Sequence, residues 1–285
     1  MTRGGFGSTQ TIVYDRVFKA PDGDSDLIKK VAVVTGAARG IGLATVKQLI
    51  SEGWYVAMLD VDAVANSEAH QSLSDASNVI AIACDISSPE SVTAAAERVM
   101  SQWSRVDALV NNAGIAIFKP ALETTFEEWS QVLDVNLSGA FICSQIFARL
   151  MLQGGKGGAI VNITSISATR ASTLRVAYGT SKAGLVHLTK QLGAELGTLG
   201  IRVNAVSPGP VETAMAKQVH TPEIRSDYHD AIPLGRYGLE EELAKAIYFL
   251  CSDQSSYING ETLNVDGGFA ATGIGLASFR KTLPE

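Results

Sequence analysis

Short apolar runs alternate with longer amphipathic stretches along most of the chain. The runs are Val31–Val34, Tyr55–Leu59, Val79–Ala83, Ala108–Val110, Ala159–Ile163, Ile201–Val206 and Thr262–Val265. Each is nearly continuously apolar, as a strand buried on both faces must be. The stretches between them repeat apolar residues at helical spacing. Val46, Leu49, Ile50 and Gly53 mark one buried helix face, and Leu243, Ala246, Ile247 and Leu250 mark another. Strands that alternate with helices are joined by right-handed crossovers, which make a parallel sheet with helices on both sides. The pattern therefore predicts an α/β, doubly wound unit with a seven-stranded parallel sheet. It occupies residues 31–270 as a single domain, with no internal linker or repeat.

The flanks differ in composition. Residues 1–30 are rich in Gly, Ser, Thr and Asp and end in the run Pro21–Asp26. They read as a flexible N-terminal extension. Within it, Thr11–Phe18 has the composition of a strand and suits pairing with a neighbouring subunit. Residues 271–285 read as a C-terminal tail.

The 285-residue chain carries 23 Lys and Arg against 29 Asp and Glu, a formal charge of −6. A mildly acidic chain is a poor electrostatic partner for nucleic acid or an anionic membrane. No uninterrupted apolar run reaches the ~18 residues that span a bilayer. Cys84, Cys143 and Cys251 are isolated, odd in number and outside any CxxC pair, which predicts reduced thiols rather than a disulfide framework. His70, His187, His220 and His229 lack metal-site spacing, so no metal is expected. These features suit a soluble cytoplasmic protein.

The first strand runs into Thr35-Gly36-Ala37-Ala38-Arg39-Gly40-Ile41-Gly42, followed by a helix. Glycines there let the backbone approach a ligand closely, and free N–H groups at the helix start favour a pyrophosphate. Gly36, Arg39, Gly40, Ile41 and Gly42 are thus candidate cofactor contacts. The second strand ends at Asp60, 18 residues beyond Gly42. A carboxylate there accepts ribose hydroxyls and repels a 2′-phosphate, which favours NAD over NADP. Arg39 pulls the other way, because a guanidinium can reach a 2′-phosphate. Asp60 is the stronger influence, since NADP would bring two negative groups almost into contact.

Tyr178 and Lys182 lie four apart at the start of a helical stretch, which puts both on one face. Ser165 follows the strand ending at Ile163, at the edge where ligands bind an open parallel sheet. A secondary alcohol needs a base as hydride leaves. Free tyrosine titrates near pH 10, so a useful phenolate needs a shift of about 3 units, or about 4 kcal/mol. A neighbouring ammonium and a cationic nicotinamide ring both favour it. Ser165 can hydrogen-bond the substrate oxygen.

These motifs come in a recognisable order: Thr35–Gly42, Asp60, Asp85, Asn111–Gly114, Asn136, Ser165, Tyr178 with Lys182, Pro208-Gly209 and Asp266–Gly268. Over about residues 30–270 the chain resembles the short-chain dehydrogenase/reductases, whose Rossmann-type domain binds a nicotinamide cofactor. The resemblance implies that Lys182 also holds the nicotinamide ribose. It implies that Asn136 holds a water passing protons towards Lys182, and that Asn112 and Gly114 line the adenosine side. Asp85 and Ile86 would border the adenine. Val211 and Thr213, after Pro208 and Gly209, would contact the carboxamide. The family commonly forms homotetramers, partly through helices around 125–152 and 178–198. Phe141, Ile146 and Phe147 suit such an interface as well as they suit a core.

Residues 210–237 form the longest irregular stretch and read as a lid bearing His220, Arg225, Tyr228, His229 and Arg236. With Ile117, Phe118, Arg170 and Arg175 it would shape a pocket for a polar secondary alcohol, a polyol or a sugar. Hydride transfer between NAD(H) and such an alcohol or its ketone is the leading reading. An NADPH-dependent 3-oxoacyl-carrier-protein reductase shares the same motifs; its acidic carrier would need a basic docking face, for which Arg170 and Arg175 are candidates. A non-catalytic NAD(H)-binding module is a third reading, but a pure binder does not require Ser165, Tyr178, Lys182 and Asn136 together.

Overall fold

The computed structural model describes residues 29–213, 216 and 220–273. Thr11–Phe18 and most of the C-terminal tail lie outside the described residues. Every expected apolar run forms a strand: β1 (Val31–Thr35), β2 (Tyr55–Asp60), β3 (Val79–Ala83), β4 (Ala108–Asn111), β5 (Gly158–Ile163), β6 (Ile201–Pro208) and β7 (Thr262–Val265). They make one seven-stranded parallel sheet in the order β3-β2-β1-β4-β5-β6-β7. The strand order reverses between β1 and β4. Ligands of open parallel sheets bind beyond the C-terminal strand ends at such a switch point.

The helices are α1 (Gly40–Ser51), α2 (Ala63–Gln71), α3 (Pro89–Trp103), α4 (Phe126–Leu133), α5 (Ala140–Gln153), α6 (Val176–Gly197), α7 (Pro222–Ala231) and α8 (Glu240–Cys251). Successive strand residues point to opposite faces of the sheet. Ala32 and Val34 pack with Val46 and Leu49 of α1 and with Leu243, Ile247 and Leu250 of α8. Val31 and Val33 pack on the other face with Val92 and Val99 of α3 and with Cys143, Phe147 and Met151 of α5. Phe147 is therefore core. Phe141 is exposed, and Ile146 is half-buried against the same layer. The three cysteines are buried and unpaired, as small apolar residues would be.

Two expectations need correction. Gly53 is not on the buried face of α1; it lies past the helix end, exposed, at φ +81°, where a left-handed residue stops the helix. The stretch 210–237 is not wholly irregular, because Pro222–Ala231 is helical. Thr221 caps it by accepting from Ile224 N, and Pro222 stands in its first turn. None of its residues is buried, so it had no apolar face to betray it. As expected for 125–152, the chain there is helical: α4 and α5 join through a π-helical turn at Asp134–Gly139 into one helix, Phe126–Gln153, long and apolar enough to cross a membrane by length and composition. Its α5 half supplies core residues beneath the sheet, which accounts for its apolar character.

A buried polar ladder ties the middle of the sheet to its helices. Asn111 Nδ2 donates to Asn162 Oδ1 at 2.8 Å and to Ser144 Oγ at 3.0 Å, and Asn162 Nδ2 donates to Thr189 Oγ1 at 2.9 Å. Asn111 thus links β4 to β5, α5 and α6 rather than merely capping its strand.

Candidate active site

The turn after β1 is built around glycine. Gly36 sits at φ +62°, and a Cβ there would lie 2.8 Å from Ala113 Cα; one on Gly42 would lie 2.1 Å from Gly36 O. Only glycine fits a backbone folded this tightly. Asn112 fastens the turn, its Nδ2 donating to Thr35 O and Gly36 O, both at 2.9 Å. Thr35 Oγ1 accepts from Asn112 N and Ala113 N, each at 3.0 Å, and so joins the ends of β1 and β4.

The turn delivers the chain to the start of α1. No side chain caps this helix, and no acidic residue stands in its first turn. The leading N–H groups and the helix dipole thus favour an anionic ligand such as a pyrophosphate, and the glycine cradle fits the backbone approach that it needs. Asp60 borders the cradle. Its carboxylate accepts from Ala38 N and Asp62 N at 3.0 Å, which leaves further acceptor capacity. Arg39 turns away to pair with Asp62, Nη2 to Oδ2 2.6 Å. Asp62 also caps α2 by accepting from Ala65 N; that bond and Arg39 hold its carboxyl below the usual range.

The structure brings Ser165, Tyr178 and Lys182 together. Ser165 stands just past β5, buried, its Oγ accepting from Ser167 N at 3.1 Å. Burial raises the Tyr178 pKa, while the Ser165 hydroxyl and the charge of Arg175 oppose that rise. Lys182 lies one turn further along α6, its Nζ 5.7 Å from the Tyr178 ring centre and donating to Ile163 O at 2.8 Å. It is 4% exposed, and burial pulls its pKa down to about 8.

Asn136 reaches the same place from the π-helical turn. Its Oδ1 accepts from Ile115 N at 2.8 Å; its Nδ2 donates to Ile115 O at 2.9 Å and to Ser181 Oγ at 3.0 Å. A Cβ on Gly114 would lie 3.1 Å from Asn136 Oδ1 and 3.4 Å from Lys182 Nζ. Gly114 therefore stands beside the Lys182–Asn136 pair.

The other predicted contacts are scattered along the same sheet edge. Asp85 is exposed and turned into its own loop, accepting from Ser87 N and Oγ, while Ile86 packs beneath Gly139. Pro208 ends β6, and a Cβ on Gly209 would lie 2.8 Å from Asp266 Cα. Val211 bridges to Gly238, and Thr213 Oγ1 accepts from Ala216 N.

A family profile described as enoyl-(acyl carrier protein) reductase matches residues 36–270, a span holding all of these residues except Thr35. The chain belongs to the short-chain dehydrogenase/reductase family. It is 41% identical over 249 residues to D-threitol dehydrogenase of Mycolicibacterium smegmatis, covering 87% of this chain and 95% of that one. It is 38% identical over 250 residues to a 3-oxoacyl-[acyl-carrier-protein] reductase of Chlamydia muridarum, covering 87% and 100%. The crystal structure of a 3-ketoacyl-(acyl-carrier-protein) reductase from Brucella melitensis complexed with NADH superposes with a TM-score of 0.80 at 34% identity, covering 86% and 99%. This short-chain dehydrogenase/reductase is accordingly an oxidoreductase of alcohols and ketones that uses a nicotinamide cofactor.

Around α7, aromatic groups cluster. His220 Nδ1 lies 2.9 Å from Tyr237 Oη, Tyr228 stacks on His220, and Arg225 pairs with Glu212. Arg170 Nη1 donates to the carbonyls of Phe269 and Thr272. His187 lies apart, exposed on α6 beside Gln191. Sequence reasoning missed Asp62, Ser181 and Thr35 as supports of the site. The pair Asp60-Val61-Asp62 was the one available signal.

Proposed function

We propose that this enzyme transfers hydride between NAD(H) and a polar secondary alcohol, a polyol or sugar, with Tyr178 as the acid–base. The observation that carries the reading is the meeting on one helix face of Tyr178 and the buried Lys182, whose Nζ lies 5.7 Å from the tyrosine ring, with the Ser165 hydroxyl favouring the Tyr178 phenolate. Ser165 holds the substrate oxygen, and Tyr178 takes its proton in oxidation and returns it in reduction. Lys182, charged below about pH 8, favours the phenolate and holds the nicotinamide ribose. Asn136, fixed by Ile115 and Ser181, orients the water through which that proton reaches solvent. The bound nicotinamide supplies the hydride acceptor or donor. Gly36, Gly40, Ile41 and Gly42 hold the pyrophosphate. Asn112 and Gly114, just past β4, line the adenosine side, Asp85 and Ile86 border the adenine, and Val211 and Thr213, after Pro208 and Gly209, meet the carboxamide.

Two features support NAD over NADP. Asp60 presents its carboxylate at the cradle, and Arg39, the cation that would welcome a 2′-phosphate, is paired with Asp62. The exposed Phe126 and Phe141 suit a homotetramer interface, and a cytoplasmic location fits this chemistry. A second reading, NADPH-dependent 3-oxoacyl-carrier-protein reduction, is favoured by the Chlamydia muridarum relative. Against it, one of the two candidate docking arginines, Arg170, already donates to backbone carbonyls.

The test is Tyr178→Phe assayed on a panel of alditols and sugars with NAD. Turnover should fall by at least ~100-fold while NADH binding, followed by fluorescence, stays within about threefold. Near-normal turnover rejects Tyr178 as the base. An intact enzyme that binds NADPH far more tightly than NADH hands the reading to the keto-reductase.

A further inference from the structure

The segment leading into α6 is held in an unusual way. Leu174 sits at φ +61°, in the left-handed region, although it is a bulky residue and half exposed. Such a conformation is strained and persists only where the surroundings enforce it. Here Lys119 N donates to Leu174 O at 2.9 Å, and Lys119 and Arg175 form an isolated β-bridge. Lys119 is in turn anchored to Glu128, Nζ to Oε1 2.9 Å. The outcome of this strain is the placement of Arg175. Its guanidinium lies 4.5 Å above the ring of Phe118.

Arg175 is the residue immediately before α6, whose first turn carries Tyr178. Its charge acts on both the Tyr178 phenol and the His220 ring. It is therefore within electrostatic reach of the acid–base residue and of the histidine that packs with Tyr228 and Tyr237. The other cations on this side are engaged differently. Arg225 pairs with Glu212, and Arg170 donates to the carbonyls of Phe269 and Thr272. Arg175 has no carboxylate partner among the described residues. A planar fork of donors stacked on an aromatic face, three residues before the acid–base tyrosine, is preorganised to grip an oxyanion in two-point fashion.

We infer that Arg175 is the specificity-determining residue of this site and that the substrate is a hydroxylated molecule carrying an anionic group, a carboxylate or a phosphate ester. This deepens the dehydrogenase reading and rests on it, since it places that anion beside the carbon that Tyr178 serves. An anionic tail also explains why an acidic chain keeps an unneutralised guanidinium at the mouth of its site.

The experiment compares matched acid and neutral probes on the full-length enzyme saturated with NADH: threonate against threitol, gluconate against sorbitol, and glycerol 3-phosphate against glycerol. Calorimetry measures binding, and steady-state assays with NAD measure KM and kcat. At least one anionic probe should bind about tenfold or more tightly than its neutral partner, which is the scale of one charge-assisted two-point contact. Arg175→Gln should bring that ratio to about one, mainly through KM, and Arg175→Lys should restore it only in part. A gain for the acids identifies a carboxylate; a gain for glycerol 3-phosphate alone identifies a phosphate ester. No anionic preference in the parent, or a preference that survives Arg175→Gln, overturns the inference even when neutral alditols are oxidised. Arg175-dependent binding without turnover of any probe upholds the anion site and counts against the dehydrogenase reading instead.

Discussion

Lys182→Met should stabilise the protein while abolishing its turnover. Lys182 is 4% exposed and has one polar partner, the carbonyl of Ile163 at 2.8 Å. Burial lowers its pKa to about 8 from an ordinary 10.5. At ~1.4 kcal/mol per pH unit, holding the ammonium in the folded state costs about 3 kcal/mol wherever both states are protonated. Losing the hydrogen bond to Ile163 gives back about 1 kcal/mol. Methionine matches the length of the stem and fills the same space. The net expectation is a gain of about 2 kcal/mol for the variant at pH 7.

The pH dependence fixes the sign. Below about pH 8 the lysine is charged in both folded and unfolded chains, and the full penalty applies. Between about 8 and 10.5 the folded chain releases its proton while the unfolded chain keeps it. The unfolded state then binds more protons, so the stability of the parent rises with pH. Isothermal urea unfolding of the cofactor-free proteins at pH 7 and pH 9.5 measures both points. The advantage of the variant should be largest at pH 7 and should shrink at pH 9.5. A variant less stable than the parent at both pH values, or a difference independent of pH, would refute the argument that burial of this charge is what the site costs.

Two further substitutions probe the cofactor side. Asp60→Ser removes the carboxylate at the cradle, while Arg39 loses none of its charge. NADPH affinity relative to NADH should rise by about tenfold or more in a fluorescence titration, and an unchanged ratio would place selectivity elsewhere. Gly42→Ala would put a Cβ 2.1 Å from Gly36 O, so the turn must open. Stability should drop by about 1–3 kcal/mol and NADH binding by at least about tenfold, with parental values in both thermal melts and titration contradicting the cradle.

What the sequence disclosed and what it withheld divide along a physical line. The central strands were legible because they are buried on both faces, so an unbroken apolar run declares them; the edge strands β3 and β7 are partly exposed. Leu243, Ile247 and Leu250 were legible because one face of their helix meets the sheet. The helix Pro222–Ala231 was not, because it buries nothing and its pattern is that of a loop. The same line runs through the site. Tyr178 and Lys182 stand four apart on one helix, so their meeting is written in their spacing. The contacts that give them their properties cross between elements far apart in the chain. Lys182 owes its lone polar partner to β5, Asn136 owes its orientation to Ile115 and Ser181, and Arg39 is diverted by an aspartate at the start of α2. Arg39 shows the consequence. Read alone, it argues for a 2′-phosphate; in the folded chain it already has a carboxylate partner in Asp62. Leu174 carries the point furthest, since nothing in a leucine announces a left-handed backbone. Its conformation follows from a bridge to Lys119, 55 residues earlier (174 − 119), and that bridge sets where Arg175 points. The chemistry class of a site can thus be read from which residues are present, whereas its selectivity resides in pairings that only the folded chain creates.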